Sequence, residues 1–153
     1  MREECLKVYA YITHGTKLLV FEEREFPEGG TQVPGGTPEA NEAPSDAVLR
    51  EAIEETGLDA LRIERYLGEV FFDVSIYGLQ EIHRRKFYHL ICVKTPPERW
   101  THEELDPSIR IANTPQHILF DLYWWNLRKG MPSLQLGFDA YLQDLLNDLD
   151  LEQ

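Results

Sequence analysis

The sequence predicts an α/β fold, a mixed central sheet covered by helices on both faces, and three observations lead there. The chain opens with strand-like alternation that doubles back as a hairpin. One short helix follows a Pro34-Gly35-Gly36 turn, and an amphipathic helix closes the chain after several more strand segments. A length of 153 residues suits one domain, 1–153, and a domain of this size buries about 68–70% of its unfolded surface without needing a staple.

Each element has its own reason. Leu6, Val8, Ala10 and Ile12 alternate with Lys7, Tyr9 and Tyr11, the pattern of a half-buried strand. His14-Gly15 turns the chain, and Lys17 to Glu22 returns as the second arm of the hairpin. Arg24 to Thr31 is a loop leading to Pro34-Gly35-Gly36, where two glycines permit close approach of a ligand. A helix starts near Pro44, with Ser45 as N-cap and Asp46 placed to pair with Arg50. It stops at Gly57, where a left-handed residue is needed. Arg62 to Tyr77 and Arg84 to Val93 are strand-rich, Thr95 to Pro115 is a long polar loop, and His117 to Trp125 is another strand. Phe138, Tyr141, Leu142, Leu145, Leu146 and Leu149 mark an amphipathic helix over about 136–149.

Composition narrows the function classes. Hydrophobic content of 42% with 27% charged residues is ordinary for a globular protein, and no apolar run approaches the ~20 residues of a membrane span. The start Met-Arg-Glu-Glu-Cys lacks a secretory signal's basic and apolar regions. Cys5 and Cys92 have no metal or redox spacing and read as buried thiols, so a reducing cytoplasm is expected. A net charge of −12 argues against large nucleic acids as partners. It leaves room for a small nucleotide that arrives with its own Mg²⁺.

The chemistry concentrates in Gly36–Leu58. On a helix, Glu54 and Glu55 each lie within about 60° of Glu51, while Val48, Leu49, Ala52, Ile53 and the Thr56 methyl fall on the opposite side. Like charges one turn apart repel by a few tenths of a kcal/mol, roughly, in an isolated helix. A cation would relieve that repulsion, and hard oxygen ligands favour Mg²⁺ or Mn²⁺.

The residues Gly36, Glu42, Arg50, Glu51, Ala52, Glu54, Glu55, Gly57 and Leu58 fill every fixed position of the Nudix box, G-x5-E-x7-R-E-U-x-E-E-x-G-U with U apolar. Seven fixed residue types would coincide by chance about once in 10⁸ starts, at roughly one in fifteen per type. The chain thus resembles Nudix hydrolases, and the resemblance implies an α/β/α sandwich and Mg²⁺-dependent (or Mn²⁺-dependent) hydrolysis of a nucleoside diphosphate linked to a group X. It implies metal ligation by Glu51, Glu54, Glu55 and the Gly35 carbonyl, with Glu51 or Glu54 as the general base. Glu42 and Arg50 would form a structural ion pair.

Outside the box, Glu98, Trp100, His102, Glu103, Glu104 and Asp106 crowd the 95–115 loop. Nudix enzymes often add an acidic residue from the corresponding region, which points to Glu103 or Glu104. Trp100 either stacks on a base or pins the loop to the body. Arg24, just before the glycine turn, is the arginine best placed to grip phosphate with two hydrogen bonds. His83, His89 and His117 lack metal spacing and read as packing or surface residues.

Secondary signatures leave the substrate at the generic class, a (deoxy)nucleoside triphosphate or related derivative. Val74 stands where the ADP-ribose type often has proline, the Ser-Gln-Pro-Trp-like array of the NADH type is absent, and Tyr77 lies nineteen residues past the box. A non-catalytic Nudix-like module that binds a nucleotide as a regulator is the alternative, and such modules tend to lose box carboxylates that this chain keeps. A Ca²⁺-storing site would need a loop of EF-hand type, which is missing. The apolar strands and terminal helix suggest a homodimer.

Overall fold

The computed structural model describes residues 3–75, 78–104 and 118–151; Tyr77, Asp106 and His117, named above, lie outside them. Among the described residues seven strands and two α-helices occur: β1 (Glu3–His14), β2 (Lys17–Glu23), β3 (Gly35–Gly36), α1 (Pro44–Thr56), β4 (Leu61–Asp73), β5 (Glu81–Cys92), β6 (Arg99–Glu104), β7 (Ile118–Asn126) and α2 (Leu142–Asp148). The sheet runs β4-β5-β1-β2-β7-β6, with β3 added to β1. Among the described residues only β1 and β5 pair in parallel, which makes the sheet mixed.

The expected sandwich is present. Val8, Ala10, Ile12, Leu19 and Leu90 pack against Ala47, Val48 and Ala52 of α1. On the other face Tyr9, Tyr11, Leu18, Val20 and Phe87 pack against Leu142, Leu145 and Leu146 of α2. Each such large side chain contributes about 1.5–3 kcal/mol when fully buried. β1 is therefore buried on both faces rather than half-buried, because a central strand between two helical layers has no solvated side.

The β1/β2 hairpin pairs only next to its turn, at Thr13↔Leu18 and His14↔Lys17. Beyond that the strands part. β2 turns to β7 along its whole length, and β1 stays with β5. The segment Gln32–Gly36 enters the gap. Phe21 and Gln32 exchange backbone hydrogen bonds of 3.0 and 2.9 Å, the Ala10 N–H donates to the Pro34 carbonyl at 2.8 Å, and β3 pairs with Val8 and Tyr9. A side chain on Gly35 would meet the Tyr9 ring at 2.2 Å and the Val8 carbonyl at 2.4 Å. Glycine is required there by close approach.

Several expectations are corrected. Residues 99–104, expected within a loop, form β6, an edge strand paired with β7 from Arg99↔Tyr123 to Glu104↔Ile118. Its alternating polar and aromatic residues carry the strand period without an apolar face. α1 has Ala43, not Ser45, at its N-cap, with Pro44 opening the helix, where its missing N–H costs nothing. Arg50 turns to Glu42, Glu51 and Glu54 rather than Asp46. α2 starts at Leu142, since Leu136 and Gly137 take positive φ angles of 54° and 77° that no α-helix continues through. Cys92 is buried but Cys5 is half-buried, and both are free thiols. No helix among the described residues is long and apolar enough to cross a membrane.

Gly57 ends α1 as expected, at φ +75°, with its N–H on the Ile53 carbonyl. A Cβ there would also meet His102 Nδ1 at 2.8 Å. Gly57→Ala should lower unfolding stability by about 1–2 kcal/mol, read as an earlier midpoint in urea. An unchanged midpoint would contradict the left-handed cap.

Candidate metal centre and active site

α1 presents its carboxylates differently from the expected arrangement. The stripe that faces the sheet is Ala47, Val48, Glu51, Ala52, Glu55 and Thr56, whereas Ile53 is 43% exposed. Residues i, i+4 and i+8 follow one face of a helix, and the sheet receives two carboxylates on that face because the β1/β2 gap opens beneath them. Glu51 and Glu55 are 4% and 9% exposed. A side chain on Gly36 would overlap the Glu51 carboxylate, 2.2 Å from its Cδ. The Gly35 N–H donates to Glu55 Oε1 at 3.2 Å.

β6 supplies the third carboxylate. Side chains at 100, 102 and 104 share one face of a strand. The Trp100 indole N–H donates to the Thr56 carbonyl at 2.8 Å. His102 Nε2 lies 2.7 Å from the Glu54 carbonyl, so that nitrogen carries the proton. Both contacts satisfy carbonyls at the end of α1 that have no helical partner. Two residues further on the same face, Glu104 is 5% exposed, and one oxygen each from Glu51, Glu55 and Glu104 lie within 4.8 Å of one another. Of the pair Glu103 and Glu104, strand parity brings Glu104 to the site and leaves Glu103 exposed.

Burial pushes the Glu51 carboxyl up to about 7 against the pull of Arg50, with Glu54 and Glu104 adding to the rise. Glu55 is raised well above the usual carboxylate range by burial first, then by Glu51 and Glu104. Three hard oxygen donors gathered this closely, with no sulfur or imidazole among them, fit a hard divalent cation.

Arg50 organises the rim. It grips Glu42 with two hydrogen bonds of 2.9 Å and donates to Glu51 Oε1 at 3.0 Å and to the Thr37 carbonyl at 3.2 Å. This ties the 37–42 loop to the helix, and the Arg50 hydrogen bonds hold Glu42 down at about 2. Glu54 stands apart from the buried three, at the surface within 3.3 Å of Arg50.

The remaining residues singled out from sequence lie elsewhere. Arg24 donates to Asp121 at 2.7 Å and to Thr101 at 2.6 Å, in a groove shared with Trp100, Thr101 and Tyr123. Trp100 also packs against the α1-side core. The carboxylates instead meet a cavity of about 320 Å³ lined by Glu55, Glu104 and the glycines, by Tyr9, Phe21, Phe120 and Phe138, and by Lys7, His83 and Arg85. Sequence reading missed these cations. Their signal was the placement of Lys7 on the Tyr9/Tyr11 face of a central strand.

Comparisons with known proteins give the family and the fold. The NUDIX domain profile matches residues 5–125, so the chain belongs to the Nudix family, hydrolases that act on phosphoanhydrides. Among solved structures, a NUDIX hydrolase from Nitrosomonas europaea is similar at a TM-score of 0.65 and 21% identity, over 99% of this chain and 97% of that one. A MutT NUDIX hydrolase from Burkholderia pseudomallei gives 0.60 and 21%, over 93% and 98%. A UDP-X diphosphatase gives 0.60 and 21%, over 98% of this chain but 64% of that one, so this chain spans about two thirds of its length. Identities this low carry the shared fold alone. No curated protein matches the sequence.

The raised Glu55 carboxyl gives a stability test. Its folded-state pKa exceeds the unfolded value of 4.5, so the metal-free native state holds the proton more tightly than the unfolded chain. Stability is then lost as pH rises from about 4.5 through the folded-state value. Glu55→Gln removes that loss. The metal-free variant should melt above the parent at pH 8, with a much smaller gap at pH 5. A difference independent of pH would contradict the buried charge.

Proposed function

We propose that the protein is a Mg²⁺-dependent pyrophosphohydrolase, with Mn²⁺ able to substitute, that cleaves the phosphoanhydride of a nucleoside diphosphate linked to X. The substrate is a (deoxy)nucleoside triphosphate or a related nucleotide derivative, and the products are a nucleoside monophosphate plus pyrophosphate or X-phosphate. The observation that carries this reading is the Glu51, Glu55 and Glu104 cluster, of which Glu55 and Glu104 line a cavity together with the two glycines.

Glu51, Glu55 and Glu104 would hold the ion, with the Gly35 carbonyl and Glu54 as further donors. When bound, such an ion neutralises phosphate oxygens and makes a water easier to deprotonate. Gly35 and Gly36 carry no side chains, so the pyrophosphate bridge can approach the backbone closely. The attacking water gives its proton to Glu51 or Glu54. Arg50 spans both carboxylates and fixes their orientation. The aromatic walls of Phe21, Phe120, Tyr9 and Phe138 offer apolar surface to the organic part of the substrate and exclude water from it.

The UDP-X diphosphatase of similar fold puts nucleotide sugars on the panel to be tried. Nucleotides, nucleotide sugars and dinucleoside polyphosphates should be incubated with and without Mg²⁺, and the products identified by mass. Cleavage should require the ion. Glu54→Gln, Glu55→Gln and Glu104→Gln should each lower kcat at least a hundredfold, about 2.7 kcal/mol of barrier, while remaining folded. Parent-like turnover by Glu55→Gln and Glu104→Gln would overturn the assignment.

A further inference from the structure

We propose that Lys7 reads the charge of the group beyond the scissile bridge, and that the preferred substrates carry a phosphate there rather than a neutral sugar. The proposal rests on the reading above and names the chemical character of X.

The observation is a buried ammonium that, among the described residues, has Glu81 and Glu51 near enough to attract it but neither in contact. Lys7 is 7% exposed and donates to the Thr37 hydroxyl at 2.6 Å. An ammonium has three donors, and among the described residues Lys7 makes no ion pair. Burying a cation costs free energy unless it is paired and hydrogen-bonded. A neutral hydroxyl answers only part of that need.

Its paired neighbour raises that cost, while Glu81 and Glu51 offset part of it. On the parallel strand beside it, Arg85 is the directly paired residue, and like charges placed opposite each other destabilise a sheet. Arg85 is held over the rings of Phe72, Phe138 and Tyr9 and donates to the Leu136 carbonyl. His83 comes from the same strand face. It is 6% exposed, and its Nδ1 has no hydrogen-bond partner among the described residues.

All three line the same cavity as Glu55, Glu104, Gly35 and Gly36. Thr37, the residue that Lys7 holds, directly follows the glycine pair. The cavity therefore sets carboxylates suited to an ion on the bridge beside cations suited to an oxyanion. A substrate extended between them satisfies both. The phosphate of X meets the ammonium in a site shielded from water, where a charge-assisted hydrogen bond is about twice as strong as a neutral one.

The test compares two substrates with the same nucleoside, a nucleoside triphosphate and a nucleoside diphosphate sugar with a neutral sugar, using the full-length protein. Lys7→Met should reduce the triphosphate-to-sugar ratio of kcat/KM at least tenfold, mainly through KM, and Lys7→Arg should restore most of it. Calorimetric binding of inorganic pyrophosphate in Mg²⁺ should weaken at least tenfold in Lys7→Met. The melting temperature of Lys7→Met should equal or exceed the parent's, because an incompletely paired buried charge has been removed. A lower melting temperature with an unchanged substrate ratio would make Lys7 a structural clamp on Thr37 and overturn the proposal. So would an equal loss on both substrates, which places Lys7 on the nucleoside side. Failure of Glu55→Gln to slow turnover would instead overturn the metal-site reading, so the two failures are distinguishable.

Discussion

Three carboxylates share a buried space less than 5 Å across, and much of the surrounding structure follows from the repulsion among them. At an effective dielectric of about 20, two unit charges at that distance repel by roughly 3 kcal/mol. A domain whose total stability is of order 5–15 kcal/mol cannot hold three such charges ionised and uncompensated. Protons answer part of the repulsion, as the raised Glu51 and Glu55 carboxyls indicate. Arg50 answers another part from the rim, and a divalent cation would answer the rest. The site spends stability on a geometry ready for an ion.

That geometry depends on the parting of β1 and β2. If the hairpin were paired along its length, the Gln32–Gly36 segment would have no strand edge to join and Glu51 and Glu55 would press on a closed sheet. The gap lets one short segment bond to both strands, with Phe21 on one side and Val8 to Ala10 on the other. Gly36 then leaves the space that the Glu51 carboxylate occupies. Thr37 links this turn to Lys7 through its hydroxyl and to Arg50 through its carbonyl, so Lys7 and Arg50 are referenced to the same loop. Trp100 and His102 fix α1 from the far side, and their strand carries Glu104 into place. The three buried carboxylates and the glycines beside them thus come from a helix, a strand and a turn that are separately anchored.

The sequence made the layers and the box helix legible because these have strong local signals. Leu142, Leu145 and Leu146 recur at helical spacing, Val8, Ala10 and Ile12 at strand spacing, and Gly57 sits where only a left-handed cap fits. It placed Val48, Ala52 and Thr56 on the buried face of α1 but did not reveal that Glu51 and Glu55 join them while Ile53 does not. Glu51 and Glu55 lie on the buried stripe, and a pattern rule that sends charge to solvent inverts there. β6 was hidden for a related reason, since an edge strand of Arg99, Thr101 and Glu103 alternating with Trp100, His102 and Glu104 has no apolar face to count. Once the strand is known, parity selects Glu104 over Glu103. Lys7 was visible only as one polar residue in an alternation, and its burial beside β5 and Thr37 comes from segments remote in sequence.

The most direct measurement of the central claim is calorimetric titration of the purified protein with Mn²⁺ near pH 6.5, repeated in buffers of different ionisation enthalpy. Metal ligands must be deprotonated to bind, so carboxyls held protonated by burial and mutual repulsion should release about one proton per ion bound. The apparent enthalpy would then vary with the buffer. Binding whose heat is the same in every buffer, or no binding at all, would contradict the account of three buried carboxylates awaiting a cation.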